Sequence, residues 1–149
     1  MATTRIIPMH LNKGKTLTQC LADRTEYGMN PDKTEGGALI SAFACEPETA
    51  VSEFALSQRE YRELTGRVQE NDVIAYQVRQ SFKPGEVTPE EANRIGYEFA
   101  KRFLKGRHAF LVCTHTDREH IHSHCIINCL MPVHARGGLT LTLSGGFNG

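Results

Sequence analysis

The stretch RHAFLVCTHTDREHIHSHCIINCLM, residues 107–131, decides how the chain should fold. Two largely apolar runs, 108–115 and 120–131, are separated by the four polar residues Thr-Asp-Arg-Glu. Strands joined by such a short polar segment are typical of an antiparallel hairpin. Because residues two apart in a strand share a face, His122 and His124 should point the same way, with Cys125 on the opposite, apolar face.

His115, His122 and His124 form a candidate metal site at one end of this hairpin. His115 ends the first strand, and the polar turn returns the chain beside it, so three imidazoles should converge. Such a site leaves coordination positions open for water or substrate, as metal-dependent catalysis requires. His120 belongs to the same face only if the second strand already extends to it.

The residues alone leave other interpretations of this cluster open. A His-x-His pair also occurs by chance on surface strands. A structural zinc site could use Cys113 or Cys125, although Cys125 lies one residue off the histidine face. Asp117 and Glu119 could orient the imidazoles through hydrogen bonds, or could be solvated turn residues.

The rest of the chain predicts an α+β fold, with an antiparallel sheet and helices packed on one face of it. The order of elements is β-α-β-α-β-α-β-β. Thr16 should open the first helix, which ends near Tyr27, and Thr88 should cap the third. The apolar stripe of the third helix should consist of Ala92, Ile95, Phe99, Phe103 and Leu104. Residues 73–82 alternate in polarity as a half-buried strand does.

Composition limits the classes of function that are available. The chain has 149 residues, and its 17 basic and 17 acidic side chains cancel. A partner held by a basic field over the whole molecule is therefore excluded, although local basic patches are not. The five cysteines form no Cys-x-x-Cys pair and are expected to be reduced, buried thiols. We find neither a signal peptide nor an apolar run of membrane-spanning length, and expect a cytoplasmic protein.

Three motifs together resemble relaxases of the MobA/MobL type, the mobilisation nucleases of the HUH endonuclease superfamily. The first is a tyrosine followed by Asn-Pro-x-Lys-Thr, within LTQCLADRTEYGMNPDKTEGGALIS at residues 17–41. The second is Ser-Phe followed by Pro-Gly-Glu and a helix, at residues 81–86. The third is His-x-Asp, His-x-His and Asn in THTDREHIHSHCIIN at residues 114–128. The resemblance extends from about Arg5 to Met131.

The resemblance implies a role for each matching position. Tyr27 corresponds to the nucleophile that nicks one DNA strand at an origin of transfer and stays joined to the 5′ phosphate. The three histidines correspond to a metal triad that usually binds Mg²⁺ or Mn²⁺, with zinc as the alternative. We expect four further residues to orient the triad: His120, Asp117, Glu119 and Glu86. We expect four others to contact DNA: Lys33, Thr34, Arg79 and Ser81.

The partners implied are single-stranded or extruded DNA at an origin of transfer and accessory relaxosome proteins. Residues 1–133 should form the nuclease domain, which we expect to be incomplete at its C-terminal end because family members continue into further helices. Residues 134–149 are Gly-rich, and we expect a weakly ordered tail there. The alternative function is a truncated remnant that binds DNA or metal but nicks poorly.

Overall fold

The computed structural model describes residues 3–66 and 73–128, and these follow the order of strands and helices expected from the sequence. In chain order the elements are β1 (Thr3–His10), α1 (Leu17–Gly28), β2 (Ile40–Phe43), a short 3-10 helix (Pro47–Thr49), α2 (Ala50–Thr65), β3 (Val73–Ser81), α3 (Pro89–Phe103), β4 (Phe110–His115) and β5 (His122–Asn128). The α+β class is confirmed.

All five strands form one sheet in the order β1-β3-β5-β4-β2, and every neighbouring pair is antiparallel. The predicted hairpin is therefore the β4–β5 pair, and β5 is the central strand. His115 lies opposite His122, and Cys113 lies opposite His124. On its other edge β5 pairs with β3, where Arg79 lies opposite His124. Both edges of β5 are hydrogen-bonded, so its two histidines stand on an interior strand of the sheet.

The helices cover both faces of the sheet, so the prediction that they pack on one face is wrong. The face of Cys113 and Ile126 packs against α1 and α2 in one apolar cluster, which includes Leu21 and Phe54. The opposite face, with Cys125, packs against α3 in a second cluster. Every residue of β4 and β5 is buried, because both of their faces are covered.

Helix α1 places Tyr27 over the sheet. Thr16 caps the helix as predicted: its side chain accepts from the backbone N–H of Gln19, whose own side chain accepts from Thr16 in return. Gly28 ends the helix on β4 and β5, and a Cβ added there would lie 3.4 Å from Ile126 and 3.6 Å from Cys113. The glycine allows the helix end to lie close to the sheet, which brings the preceding Tyr27 to the histidine strands.

Helix α3 begins as predicted, and its predicted apolar stripe is confirmed except for Ile95. Thr88 accepts from the backbone N–H of Glu91, and Pro89 is the first helical residue. The residues that face the sheet are mostly small: Ala92, Asn93, Gly96 and Ala100. Ile95, which we expected in the apolar stripe, is 36% exposed. A Cβ at Gly96 would lie 3.0 Å from Val112, so α3 packs closer than its large side chains would permit.

Strand β5 begins at His122 rather than at residue 120, and residues 129–131 of the predicted strand lie outside the described residues. His120 therefore precedes the strand. The expected tail at 134–149 lies outside the described residues. Among residues 3–66 and 73–128, every helix is too short or too polar to cross a bilayer.

Candidate active site

The three predicted ligand histidines converge at the end of the β4–β5 hairpin. The ring centroids of His115 and His124 lie 4.5 Å apart, those of His115 and His122 5.0 Å, and those of His122 and His124 5.1 Å. One ring nitrogen from each residue lies within 4.8 Å of the other two. All three side chains are buried, which limits their freedom to turn away. The arrangement satisfies the geometric requirement for a three-histidine metal site.

Hydrogen bonds occupy one nitrogen of each imidazole and leave the other available. Nε2 of His115 donates to the carbonyl oxygen of Gly28 at 2.9 Å, and Nδ1 of His122 donates to that of His120 at 3.2 Å. Nδ1 of His124 contacts the side-chain amide of Gln77. Nδ1 of His115 and Nε2 of His124 are buried without a hydrogen-bond partner among the described residues. Such unpartnered nitrogens are what a metal-binding set of neutral imidazoles requires.

The electrostatics of the cluster favour neutral imidazoles. Burial lowers the pKa of His115 and of His122 below the usual 6.5. Burial, together with the proximity of His115 and His122, lowers the pKa of His124 to about 3. Neutral imidazole is the form that binds a metal ion, so protons compete weakly for this site near neutral pH.

Cysteine ligation, the competing interpretation, does not fit the structure. Cys125 lies on the opposite face of β5, packed with the α3 cluster. Burial raises the pKa of Cys113 to about 12 and that of Cys125 well above its usual range. Among the described residues, the group of side chains close enough to share one metal ion consists of the three histidines and includes neither cysteine.

Tyr27 lies beside the cluster. Its ring centroid is 5.7 Å from that of His115 and 6.1 Å from that of His124, with edge-to-face geometry in both cases. The side chain is 53% exposed, although an aromatic ring packed on a sheet is usually buried. Tyr27 therefore combines exposure to solvent with contact to two rings of the triad.

The loop after Tyr27 attaches to the end of the hairpin. Lys33 pairs with Asp117 at 2.6 Å, and its ammonium lies 5.2 Å from the centroid of the Tyr27 ring. The backbone N–H of Thr116 donates to the carbonyl oxygen of Lys33 at 2.9 Å. These contacts fix a positive charge beside the phenol. They also explain Asp117: the carboxylate holds Lys33, and its effect on the triad is electrostatic.

A cleft of about 340 Å³ opens between α1 and strands β1, β3 and β5. Arg24, Tyr27, Gln77, Arg79 and His124 contribute to its lining. Arg24 precedes Tyr27 by almost one helical turn, and Arg79 lies across from His124 in the sheet. The cleft therefore joins two guanidinium groups to the tyrosine and the triad.

The remaining predicted residues occupy different surroundings. Thr34 is fully buried and its hydroxyl donates to the carbonyl oxygen of Asn30, so we correct its expected DNA contact to a role within the loop. Ser81 is half-buried and lies opposite His122 in the sheet.

Of the residues expected to orient the triad, His120 supplies its backbone carbonyl to His122, while its ring bonds the carbonyl oxygen of Phe82 at 3.2 Å. Glu119 is exposed in the turn before β5. Glu86 accepts from the backbone N–H of Lys83 after β3.

Three participants escaped the sequence analysis: Gln77, Arg24 and the carbonyl of Gly28. The alternation of β3 did place Gln77 on the same polar face as Arg79, which was a usable signal. The pairing of β3 with β5 was the missing information. A backbone carbonyl leaves no signal in the sequence, because every residue carries one.

Comparison with known proteins agrees with this geometry. The family model described as "Relaxase: MobA/VirD2-like, nuclease domain" matches residues 27–136, which begin at Tyr27 and include all three histidines.

The chain is also similar to parts of several named proteins. Two proteins named "Protein rlx" from Staphylococcus aureus are 42% and 46% identical to the chain over 59% of its length. The "Group II intron-interrupted relaxase LtrB" of Lactococcus lactis subsp. cremoris (strain MG1363) is 32% identical over 68% of the chain. The matches cover only 22–26% of these relatives. On the strength of the family match, the chain belongs to the MobA/VirD2-like relaxase nuclease domains.

Proposed function

We propose that this chain is the nicking domain of a mobilisation relaxase, and that Tyr27 cleaves one DNA strand through a tyrosyl-5′-phosphate intermediate. One observation carries the proposal: the exposed phenol of Tyr27 lies against two imidazoles of a buried histidine triad. A core aromatic has no need of such neighbours. A nucleophile that must share a phosphate with a metal site does.

The reaction conserves one phosphodiester bond. The Tyr27 oxygen forms a bond to phosphorus, the bond from phosphorus to the 3′ oxygen breaks, and the leaving 3′ oxygen takes up a proton as the phenol loses one. The strand with the free 3′ hydroxyl can later attack the tyrosyl phosphate in reverse. Nicking and rejoining therefore use the same residue, as strand transfer requires.

Charged side chains around Tyr27 support the binding of a phosphate. Lys33 lies beside the phenol ring, and Arg79 lies across from His124 in the cleft. Positive charge aimed at the position where negative charge develops lowers the barrier without reorganisation. We propose that Lys33, Arg79 and Arg24 contact the phosphates of the DNA backbone. Ser81, which lies opposite His122, is proposed as a further contact.

His115, His122 and His124 are the residues that would hold a divalent ion, with Mg²⁺ or Mn²⁺ expected and zinc as the alternative. A bound ion would supply Lewis-acid stabilisation to the non-bridging phosphate oxygens. The triad itself presents three neutral nitrogens on rigid strands. Asp117 contributes by fixing Lys33, and the carbonyls of Gly28 and His120 contribute by orienting two of the rings.

A covalent adduct tests the nucleophile. We expect the wild-type chain, incubated with a single-stranded origin oligonucleotide and Mn²⁺, to give a protein–DNA band on a denaturing gel. Tyr27→Phe should abolish the band, because only the hydroxyl is lost, and should leave Mn²⁺ binding within about twofold. Tyr97→Phe is the matched control, since Tyr97 packs on the α3 face against Phe43 and Phe110.

An adduct formed at wild-type yield by Tyr27→Phe would remove Tyr27 from the mechanism. A wild-type chain that binds DNA and Mn²⁺ but gives no adduct would favour the second candidate, a remnant that binds without nicking. This second candidate is tested because the match covers only 22–26% of the length of the relatives.

The wider setting of the activity is part of the same proposal. The substrate is single-stranded or extruded DNA at the origin of transfer of a plasmid or mobile element. The reaction takes place in the cytoplasm, with accessory relaxosome proteins that deliver the strand.

A further inference from the structure

Each triad histidine has one ring nitrogen that makes a contact within the protein. For His124 this nitrogen is Nδ1, and its partner is the side chain of Gln77. In the other two histidines the partner is a backbone carbonyl. Nε2 of His115 donates to Gly28, and Nδ1 of His122 donates to His120. Because a backbone carbonyl can only accept a hydrogen bond, these contacts fix which ring nitrogen of neutral His115 and His122 carries the hydrogen. Nδ1 of His124 faces the side-chain amide of Gln77, and the amide atom placed against it is Nε2. The amide group as a whole can either donate or accept.

The other neighbours of His124 cannot replace this amide. Arg79 lies opposite His124 on one side, and a guanidinium offers donors alone. Cys113 lies opposite on the other side, and its burial raises its pKa to about 12, so it remains a weakly accepting thiol. Gln77 is half-buried and diagonal to His124 across the β3–β5 pair. A half-turn of its amide group exchanges Nε2, which faces His124 in the structure, for Oε1 at the same place, and this is the orientation that the inference requires.

We propose that Gln77 is a positioning residue for metal binding, whose Oε1 accepts the Nδ1 hydrogen of His124 and so keeps the lone pair of Nε2 available to the ion. This inference rests on the proposed metal-dependent function. The buried and unpartnered Nε2 of His124 is the atom that gains from it. If Nε2 of the amide donated instead, the hydrogen of neutral His124 would move to its own Nε2 and block the ligand atom.

The choice of an amide rather than a carboxylate has a chemical consequence. A carboxylate at this position would make the imidazole more basic and bind the ion more tightly. It would also add a negative charge beside the cleft where the phosphate is proposed to bind. The neutral amide orients the ligand and leaves the positive charge of the ion undiminished for DNA.

Calorimetric titration with Mn²⁺ tests the inference on the whole chain without any activity assay. Gln77→Met keeps the length of the side chain and removes the acceptor, and we expect Mn²⁺ to bind about 10–100-fold more weakly. Gln77→Glu restores an acceptor, and we expect binding at least as tight as wild type. Gln80→Met is the matched control on the same strand, because Gln80 faces α3, and it should remain within about twofold.

A Gln77→Met chain that binds Mn²⁺ within twofold of wild type would overturn the inference alone. Gln77→Glu binding as weakly as Gln77→Met would also overturn it, since the role would then be packing. A wild-type chain that binds no Mn²⁺ would overturn the metal site and this inference together.

A second measurement remains decisive if Gln77→Met does not fold. In the wild-type chain loaded with diamagnetic Zn²⁺, nitrogen-15 spectra of the histidine side chains should show the hydrogen of His124 on Nδ1. A hydrogen on Nε2, or His124 signals unchanged by the ion, would contradict the proposal.

Discussion

At the scale of single residues, the histidine triad owes its chemistry to its position inside the protein. Three imidazoles within about 5 Å of one another repel when protonated, and burial removes the water that would otherwise stabilise the charge. The folded chain therefore holds His124 neutral over a wide pH range, with a pKa of about 3. The unfolded chain releases the same residue to its ordinary pKa of 6.5.

This difference predicts an acid-sensitive fold in the metal-free protein. Between pH 6.5 and about 3 the unfolded state binds more protons than the folded state, so the free energy of unfolding should fall as the pH falls. Each histidine that stays neutral only when folded contributes about 1.4 kcal/mol per pH unit across its window. Urea titrations in EDTA at pH 7.5 and pH 5 measure this loss.

The control is His124→Asn, which removes the residue with the largest shift and should make the pH dependence shallower. Equal stabilities at pH 7.5 and pH 5 in the wild-type chain would contradict the predicted burial of neutral histidines.

Sequence reasoning reached the triad through strand parity, because His122 and His124 are two residues apart and the turn returns His115 to them. It reached Tyr27 through resemblance, since the separation in sequence of 87 residues between Gly28 and His115 cannot be bridged by local pattern. Thr34 was misassigned for a related reason. Its burial comes from the loop folding back on Asn30, which composition does not reveal.

At the scale of elements, one buried amide joins α3 to the sheet. Nδ2 of Asn93 donates to the carbonyl oxygens of Leu39 and Val112 at 2.8 and 3.3 Å, and to the hydroxyl of Thr114 at 3.1 Å. The hydroxyl of Ser41 donates to Oδ1 of the same residue. These directional hydrogen bonds add to the apolar packing of α3 and fix how the helix lies on the sheet.

Asn93→Ala should therefore destabilise the chain by about 2–4 kcal/mol, because several buried groups lose their partner at once. Chemical denaturation measures the change, and Arg94→Ala, an exposed neighbour on the same helix, should stay within about 0.5 kcal/mol of wild type. Mn²⁺ binding should persist in Asn93→Ala at neutral pH, since α3 covers the face opposite the triad. A loss below about 1 kcal/mol would show that the anchor is dispensable.

The placement of α3 also shows where element-level prediction ended. Its N-terminus was predictable from Thr88 and Pro89, whose chemistry is local. The face that α3 buries was not fully predictable, because its small residues make the closest approach to the sheet where large apolar residues were expected to do so. The covering of both sheet faces did leave a trace: FLVC at residues 110–113 is continuously apolar, as in a strand buried on both sides.

At the scale of the whole molecule, the zero net charge restricts how DNA can be held. Affinity for a nucleic acid comes largely from cations that replace its counterions. Around the cleft those cations are few: Arg24 and Arg79 in its lining, and Lys33, which Asp117 already pairs. Binding by this chain should accordingly be weak and only mildly sensitive to salt.

With about three phosphate contacts to a single strand, the logarithm of the association constant should fall with the logarithm of the salt concentration at a slope of about −2. Fluorescence anisotropy of a labelled oligonucleotide at several NaCl concentrations measures this slope. Arg79→Gln should reduce its magnitude by about 0.7, whereas Arg102→Gln on α3 should leave it unchanged. A slope of about −5 or steeper would mean that a larger basic surface takes part.

The hydrogen bond from His115 to Gly28 has a consequence for how the protein comes to be. It joins residues 87 positions apart, and the Lys33–Asp117 pair joins residues 84 apart. Contacts of such high contact order close the longest loops in a chain and form late in folding. The end of α1, which carries Tyr27, consequently joins the hairpin of the triad only when these distant parts of the chain have come together. A partly folded chain would carry every residue of the candidate site and yet lack the arrangement that the proposed cleavage needs.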